Sequence, residues 1–225
     1  MYKLYGMYYS GEGVVTDYAK AVEWVRKAAE LGNADAMASL GLRHYYGDGA
    51  EKDYEKAANW CSKAAEAGSS KAMLQLAEMY EEGNGVPKDH QKSQQWYQKA
   101  FDSYNTDAKA GRSYAMYRLG EMYYYGWGTG KDANEAIVWY VKAANAGNSD
   151  AMYELGDKYY YGWTVTEDPN KAMQWYARAF SSYRKDAEAG NSDAAQKVAE
   201  MYENGEGVAV DYTRAMEWYS KAAEG

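Results

Sequence analysis

The apolar positions of the chain recur at helical spacing and are separated by glycine-rich turns. Ala36, Leu40 and His44 follow one another at i, i+4 and i+8, which places them on one face of an α-helix. The Gly-Asp-Gly sequence at 47–49 then indicates a turn, because glycine readily takes the left-handed conformation that ends a helix. A second apolar face runs from residue 57 to residue 64. This segment predicts a helix–turn–helix hairpin.

The hairpin pattern is repeated six times, with the same residue types at the same positions. A glycine ends each first helix, an aspartate precedes each second helix, a tryptophan lies within it and another glycine follows it. The turn glycines are Gly11, Gly47, Gly83, Gly126, Gly162 and Gly205, the aspartates are Asp17, Asp53, Asp89, Asp132, Asp168 and Asp211, the tryptophans are Trp24, Trp60, Trp96, Trp139, Trp175 and Trp218, and the closing glycines are Gly32, Gly68, Gly111, Gly147, Gly190 and Gly225.

These columns predict one continuous array of six repeats without separable domains. The approximate bounds of the repeats are 1–32, 33–68, 69–111, 112–147, 148–190 and 191–225. We expect each aspartate to cap the N-terminus of its second helix. The six tryptophans share one structural position, and we therefore expect them to belong to the core.

Two repeats have longer second helices than the others. The third and fifth repeats carry seven additional residues, within 101–110 and 180–189. Phe101, Tyr104 and Ala108 keep the i, i+3 and i+7 spacing, and seven residues are nearly two helical turns. We therefore predict second helices that are about 10 Å longer in these repeats, instead of inserted loops.

Three first helices contain an internal glycine directly after a leucine. These are Gly41, Gly120 and Gly156, whereas the third and sixth repeats have Ala77 and Ala199 at this position. Glycine inside a helix costs about 1 kcal/mol relative to alanine. Its recurrence therefore predicts a place where two helices approach too closely for a larger side chain.

The repeated pattern resembles the Sel1-like repeat family, which is related to the tetratricopeptide repeats. It reads Ala-x-x-x-Leu-Gly-x-x-Tyr-x-x-Gly-x-Gly, then Asp-x-x-Lys-Ala-x-x-Trp-Tyr-x-Lys-Ala-Ala, and is clearest at 119–128 and 92–100. The resemblance covers nearly the whole chain, although Thr164 replaces the second turn glycine in the fifth repeat and His44 replaces a tyrosine in the second. It implies an all-α, right-handed superhelix, or solenoid, of six helix–turn–helix repeats.

The resemblance also implies a class of function. Family members act as adaptors or scaffolds in protein assembly and signalling, and many bacterial members act in host interaction. The family has no general catalytic residues and no common ligand that could be assigned to positions of this chain. We therefore expect a non-catalytic protein that mediates protein–protein interaction.

Charge and composition exclude several classes of partner. The chain has 33 acidic and 25 basic residues and a net charge of −8, which disfavours nucleic acid and anionic membrane surfaces. No stretch approaches 18 apolar residues, so no membrane insertion is expected. The first ten residues lack the features of a signal peptide. The localisation stays open between a cytoplasmic protein and a secreted one whose leader has been removed.

The residue types that carry catalysis are scarce. Cys61 is the only cysteine, and His44 and His90 are the only histidines. The Gly-x-Gly turns lack the lysine of a phosphate-binding loop. We therefore expect no catalytic residue, metal or cofactor, and a hydrolase acting on cell-wall or antibiotic substrates finds no support in the residues.

A ligand of a helical solenoid is expected on the inner surface, which the first helices line. Counting from the leucine of each first helix gives a groove rich in tyrosine and carboxylate. Tyrosine offers rigid contact area, and carboxylates favour lysine or arginine on the partner. We expect a basic, partly apolar peptide or protein to bind there. The candidate residues are Tyr45, Tyr46, Glu78, Tyr117, Glu121, Tyr124, Tyr125, Tyr153, Asp157, Tyr160 and Tyr161, together with the turn tryptophans Trp127 and Trp163.

Other interpretations of this surface remain open. The paired tyrosines and the turn tryptophans could instead pack against neighbouring repeats. A second hypothesis is a glycan or cell-wall ligand, because sugar-binding surfaces also combine aromatic rings with carboxylates. The exposed terminal repeats also suggest self-association.

Overall fold

A computed structural model describes residues 1–10, 13–15 and 17–224, and the secondary structure of these residues consists of α-helices without a strand. The all-α prediction is confirmed for this part of the chain. Gly11 and Gly225 lie outside the described residues. The helices are α1 (Tyr2–Ser10), α2 (Tyr18–Glu30), α3 (Ala34–Tyr46), α4 (Tyr54–Glu66), α5 (Ser70–Glu82), α6 (His90–Lys109), α7 (Ser113–Tyr125), α8 (Ala133–Asn145), α9 (Ser149–Tyr161), α10 (Pro169–Glu188), α11 (Ser192–Asn204) and α12 (Tyr212–Glu224).

The helices form two compact units. Unit 1 contains residues 1–104 and 126–130, and unit 2 contains residues 105–125 and 131–225. In unit 1, each helix from α1 to α4 packs against the next helix along the chain, and the same is true from α7 to α11 in unit 2. Packing between sequence neighbours is the arrangement of an α-solenoid.

The aspartate column caps the second helices, as predicted. The Asp53 carboxylate accepts a hydrogen bond from the backbone N–H of Lys56 at 2.9 Å, and Asp168 accepts one from Lys171 at 3.0 Å. Pro169 is the first residue of α10, where its missing N–H costs nothing. Asp17, Asp89, Asp132 and Asp211 accept equivalent bonds. Each cap stabilises its helix by about 1 kcal/mol.

The seven additional residues of the third and fifth repeats are helical, as predicted. The second helices α6 and α10 contain 20 residues each, whereas α4 and α8 contain 13. The extension of α10 carries the buried Tyr183, whose hydroxyl donates to Asp150 of α9 at 2.6 Å. The added turns therefore lengthen the contact between the two helices of this hairpin.

The internal glycines mark close helix approaches, as predicted. A Cβ atom at Gly120 would lie 2.6 Å from Cδ1 of Tyr140, and one at Gly41 would lie 2.7 Å from Sγ of Cys61. In the fifth repeat, a Cβ atom at Gly156 would overlap the ring of Tyr176. The missing side chain therefore makes room for a buried side chain of the second helix.

The tryptophan column lies at the edge of the core, so the prediction that it belongs to the core is only partly confirmed: Trp60, Trp96 and Trp175 are half-buried and pack against the core. Only Trp218 of the column is buried, whereas the residue after the tryptophan is buried in five repeats. A basic side chain three positions later lies over each indole ring, 3.9–4.9 Å from its centroid. The tryptophans therefore lie between the core and solvent, and a lysine or arginine side chain covers part of each ring. The buried residues that follow them are Val25, Cys61, Tyr97, Tyr140 and Tyr176.

The turn of the fifth repeat is strained. Thr164 has a φ angle of 79°, and it is the only non-glycine residue with positive φ in the described part of the chain. Gly49 and Gly128 hold the same position in other repeats, with φ angles of 67° and 66°. A side chain with a Cβ atom costs about 1–2 kcal/mol in this conformation.

Candidate interaction surface

The described residues include an exposed cluster of aromatic side chains in unit 2, at the C-terminal ends of α7 and α9. It consists of Tyr124, Tyr125, Tyr160, Tyr161 and Trp163, and we call it the aromatic surface. All but Tyr124 are exposed over roughly half of their surface, 48–55%. A contiguous group of exposed apolar side chains, unlike a single one, is typical of an interaction site.

The end of α9 explains why Trp163 joins this surface. The helix ends at Tyr161, and Gly162 takes a left-handed conformation with φ of 69°. The chain therefore turns back, and the indole of Trp163 stacks on the ring of Tyr161 with centroids 4.6 Å apart and planes 19° apart. Tyr160 packs edge-on against Tyr161. The rings are held by one another and remain open to solvent.

The buried Lys158 lies against two rings of the aromatic surface. Nζ of Lys158 lies 4.0 Å from the ring centroid of Tyr124 and 5.4 Å from that of Trp163. Its charge is paired with Glu154, whose Oε2 lies 3.3 Å away. Cation–π attraction therefore ties the rings of α7 to the turn after α9.

Four other predicted groove residues of unit 2 are half-buried and paired within the protein. Tyr117 donates a hydrogen bond to Glu121 at 3.2 Å, and the ring of Tyr117 lies 5.9 Å from that of Tyr140. Tyr153 donates to Glu206 at 2.9 Å, and Asp157 accepts from Tyr176 at 2.5 Å. The first pair lies within α7, the second joins α9 to the turn after α11, and the third joins α9 to α10, so all three carboxylates are already engaged.

Burial raises the pKa of three of these carboxylates. Desolvation is the main cause for Glu121, Asp157 and Glu206, and it outweighs the hydrogen bonds that stabilise their charged forms. The folded protein therefore holds protons on these groups more tightly than the unfolded chain does.

We expect unit 2 to be more stable at pH 5 than at pH 7.5. A carboxyl group with a raised folded pKa contributes most below its ordinary pKa of about 4, and this contribution is lost as the pH rises through the folded value. Thermal unfolding followed by circular dichroism should give a higher Tm at pH 5, and Asp157→Asn with Glu206→Gln should reduce the difference. The exposed Asp193→Asn is the matched control. A Tm difference that the double variant leaves unchanged would contradict this origin.

The predicted residues of unit 1 are placed differently. Tyr46 is exposed, whereas Tyr45 donates to Glu82 at 2.9 Å and accepts from Nδ2 of Asn84 at 3.1 Å. Burial raises the pKa of Tyr45 to about 12, and Glu78 is half-buried. Trp127 is half-buried and stacks on Tyr97, with centroids 5.8 Å apart and planes 6° apart. Trp127 therefore packs within unit 1, unlike Trp163 in unit 2.

The described residues offer little for metal or thiol chemistry. No group of three or more His, Cys, Asp or Glu side chains in them could hold a metal ion. Burial raises the pKa of the Cys61 thiol to about 12, so that it stays protonated at neutral pH. None of the described helices is long and apolar enough to cross a membrane.

The repeat signature matches a known family along most of the chain. The Sel1 repeat profile matches residues 2–33, 34–69, 70–105, 113–148, 149–182 and 192–225. The chain belongs to the Sel1 repeat family. Sel1 repeat proteins are commonly protein-interaction scaffolds and generally lack catalytic activity. Comparison with curated proteins gave no significant match.

Solved structures of other Sel1 repeat proteins resemble this chain. A Sel1 repeat protein from Oxalobacter formigenes is 33% identical, with 99% of this chain and 86% of that one aligned and a TM-score of 0.53. A putative Sel1 repeat protein from Klebsiella pneumoniae is 23% identical, with 91% and 93% aligned and a TM-score of 0.51. The protective antigen c5321 of uropathogenic Escherichia coli is 33% identical, with 99% and 53% aligned and a TM-score of 0.43.

Sequence reasoning missed two buried cations in the Sel1 repeats. Lys158 and Arg43 lie three residues after the leucine of their first helices, where other repeats have a buried methionine. A basic residue in a methionine column is a signal that could have revealed them. The methionines are Met79, Met122 and Met201.

Proposed function

We propose that this Sel1 repeat protein is a non-catalytic adaptor that binds a partner protein through the aromatic surface of unit 2. The observation that carries this proposal is the stacked pair Tyr161–Trp163, which is ordered by its own contacts and still half-exposed. Tyrosine and tryptophan dominate the binding energy of many protein interfaces. They also lose little conformational entropy on binding when they are already held in place.

The partner that fits this surface is a partly apolar segment with basic residues near it. The rings accept the apolar part, and the net charge of −8 favours a basic protein and speeds its association. The half-buried carboxylates of Asp157 and Glu206 are engaged by tyrosine hydroxyls. The charge of the protein therefore acts mainly through the long-range field, and the aromatic contacts supply most of the affinity.

The test compares variants of the aromatic surface in binding to a partner recovered by affinity purification. We expect Tyr160→Ala and Trp163→Ala each to weaken binding by about tenfold or more, since hot-spot residues contribute at least about 2 kcal/mol. Tyr114→Ala is the matched control, because Tyr114 is an exposed tyrosine near the start of α7, at the opposite end of that helix from Tyr124 and Tyr125. Equal affinities for all three variants and the wild type would exclude the aromatic surface as the binding site.

A glycan or cell-wall ligand is the alternative for the same surface. The stacked, exposed rings of Tyr161 and Trp163 favour it, because aromatic rings can stack on the apolar faces of sugars. Glycan-array binding that persists from about 0.05 to 0.5 M salt would favour a sugar, because charge-steered binding of a basic peptide is screened over this range. Loss of array binding at high salt would favour the basic protein.

We further propose that α12 contacts a second copy of the chain. Met216 of α12 is 71% exposed, more than the residues at the same position of α8 and α10, which are the half-buried Ile137 and the 41% exposed Met173. We expect Met216→Lys to lower the molar mass measured by light scattering at high protein concentration. Met173→Lys on α10 is the control, since Met173 is also exposed. A wild-type protein that stays monomeric at all concentrations would exclude this contact.

A further inference from the structure

A cavity of about 240 Å³ lies in unit 1, between α1 and α3 and next to the start of α5. Arg43 and Lys71 line it, so the cavity gathers two basic side chains in a protein of net charge −8. Tyr5, Tyr9 and Ser39 contribute rings and hydroxyl groups to its wall. Asp48 also lines it, so the lining carries two basic side chains against one acidic side chain.

Arg43 is held firmly and keeps unused hydrogen-bonding capacity. The residue is 4% exposed, and its Nη2 donates to the hydroxyl of Tyr5 at 3.2 Å. The guanidinium group lies 4.7 Å from the ring centroid of Tyr9. Within the described part of the chain, Nε of Arg43 has no hydrogen-bond partner. A buried donor of this kind is costly unless something bonds to it.

The acidic group nearest to Arg43 among the described ion pairs is poorly placed to satisfy it. Oδ2 of Asp48 lies 3.5 Å from Nη1, and the Asp48 side chain is 64% exposed. The backbone carbonyl of Asp48 accepts from Nη1 at 3.1 Å and holds the turn in place. The carboxylate of Asp48 can therefore swing into solvent at little cost when another anion approaches.

Lys158 in unit 2 shows which group fits beside such a cation. Both cations occupy the same position of the repeat, and each lies over a tyrosine of the preceding first helix, Tyr9 for Arg43 and Tyr124 for Lys158. The carboxylate of Glu154, four residues before Lys158, lies 3.3 Å from it. Unit 1 has Ser39 at the position of Glu154, and the cavity opens there.

We propose that the cavity beside Arg43 binds a carboxylate group of a peptide, in the place that Glu154 fills beside Lys158. Arg43 donates hydrogen bonds to the carboxylate, Lys71 adds positive charge, and the rings of Tyr5 and Tyr9 contact the adjoining apolar atoms. This site goes beyond the proposed function, because it lies in unit 1 and selects the opposite charge from the partner.

The direct test is an NMR titration of the full chain that follows the Nε–Hε signal of Arg43. The probes are N-acetylglycine, which ends in a carboxylate, N-acetylglutamate methylamide, which carries one on its side chain, and the neutral N-acetylglycinamide. We expect both carboxylates to shift the signal and to bind about tenfold or more tightly than the amide. The tighter carboxylate identifies the source as a chain terminus or a side chain. Equal affinity of all three probes would overturn the proposal.

Arg43→Met removes the cation and restores the residue type of Met79, Met122 and Met201, so the fold is expected to accept it. Binding of N-acetylglycine, followed through the backbone amides of α3, should weaken by about tenfold or more, because a charge-assisted hydrogen bond is lost. Arg26→Met is the matched control, since Arg26 is an exposed arginine of α2. Unchanged binding by the Arg43 variant would refute the site.

Exchanging Ser39 and Glu154, the residues four positions before Arg43 and Lys158, tests whether the two sites are equivalent. Ser39→Glu should fill the cavity with an internal carboxylate, which abolishes N-acetylglycine binding while Arg43 remains. Glu154→Ser should open an equivalent site beside Lys158 and raise the stoichiometry from one to two. Binding that survives Ser39→Glu, or a stoichiometry of one in the Glu154 variant, would contradict the equivalence on which the proposal rests. The aromatic surface can fail its own test without affecting these outcomes.

Discussion

Replacing Tyr140 by alanine is expected to lower the free energy of unfolding of unit 2 by about 3–5 kcal/mol. The Tyr140 side chain is 1% exposed and fills the space beside Gly120, so its removal leaves a cavity that the helices on either side cannot close. Lost burial of the ring adds to the cost of the cavity. Urea unfolding followed by circular dichroism measures the change.

The matched control for this variant is Tyr212→Ala. Tyr212 is 67% exposed, so its removal should change the free energy of unfolding by no more than about 0.5 kcal/mol. A similar loss in both variants would show that the ring of Tyr140 is not a central part of the core of unit 2.

Gly120→Ala is expected to destabilise unit 2 by about 1–3 kcal/mol, although alanine is the better helix former by about 1 kcal/mol. The added Cβ would lie 2.6 Å from Cδ1 of Tyr140, which forces either the ring or the helix to move. In the Tyr140→Ala background this contact is absent. The same substitution should then stabilise the protein, and a double-mutant cycle in urea measures the change of sign.

Gly6→Ala in α1 isolates the effect of helix propensity, since a Cβ atom there would meet no atom within 4 Å. It should stabilise unit 1 by about 0.5–1 kcal/mol. If Gly120→Ala had the same effect with and without the ring of Tyr140, the close approach would not be the reason for the glycine.

The two large effects concern the scaffold that presents the aromatic surface. Tyr140 lies between α7 and α8, and α7 carries Tyr124 and Tyr125 at its C-terminal end. Losing the core of this hairpin would therefore displace part of the aromatic surface together with the fold. For this reason, binding variants are best made at the exposed Tyr160 and Trp163, whose removal leaves the core intact.

The turn tryptophans show how far the sequence predicts the candidate site. Trp127 and Trp163 each follow the glycine that ends a first helix, so they hold equivalent positions in the repeat. Trp127 stacks on Tyr97, whereas Trp163 stacks on Tyr161 and stays open. The difference arises from the side chains that each turn meets, which the residue's own position in the repeat does not specify.

The charged residues also show that the sequence does not specify which side chains a candidate site residue contacts. The sequence places Glu121 and Asp157 at inward positions, but Arg118 and Tyr117 engage the first, and Tyr176 engages the second. The bond between Tyr153 and Glu206 joins residues 53 positions apart. Only this last bond depends on how hairpins stack, whereas the partners of Glu121 lie in its own helix and that of Asp157 in its own hairpin. The sequence alone suggests that Glu121 and Asp157 are available to a ligand, although each is engaged within the protein.

The sequence by itself determined the six hairpins, the aspartate caps, the two long second helices and the glycines at close approaches. Each of these follows from the periodicity and backbone preferences of neighbouring residues, which act over one or two helical turns. Tertiary structure alone decided that tryptophans lie at the edge of the core, that Lys158 is satisfied by Glu154, and that a cavity opens beside Arg43. Those outcomes depend on burial and on which side chains adjacent hairpins bring together.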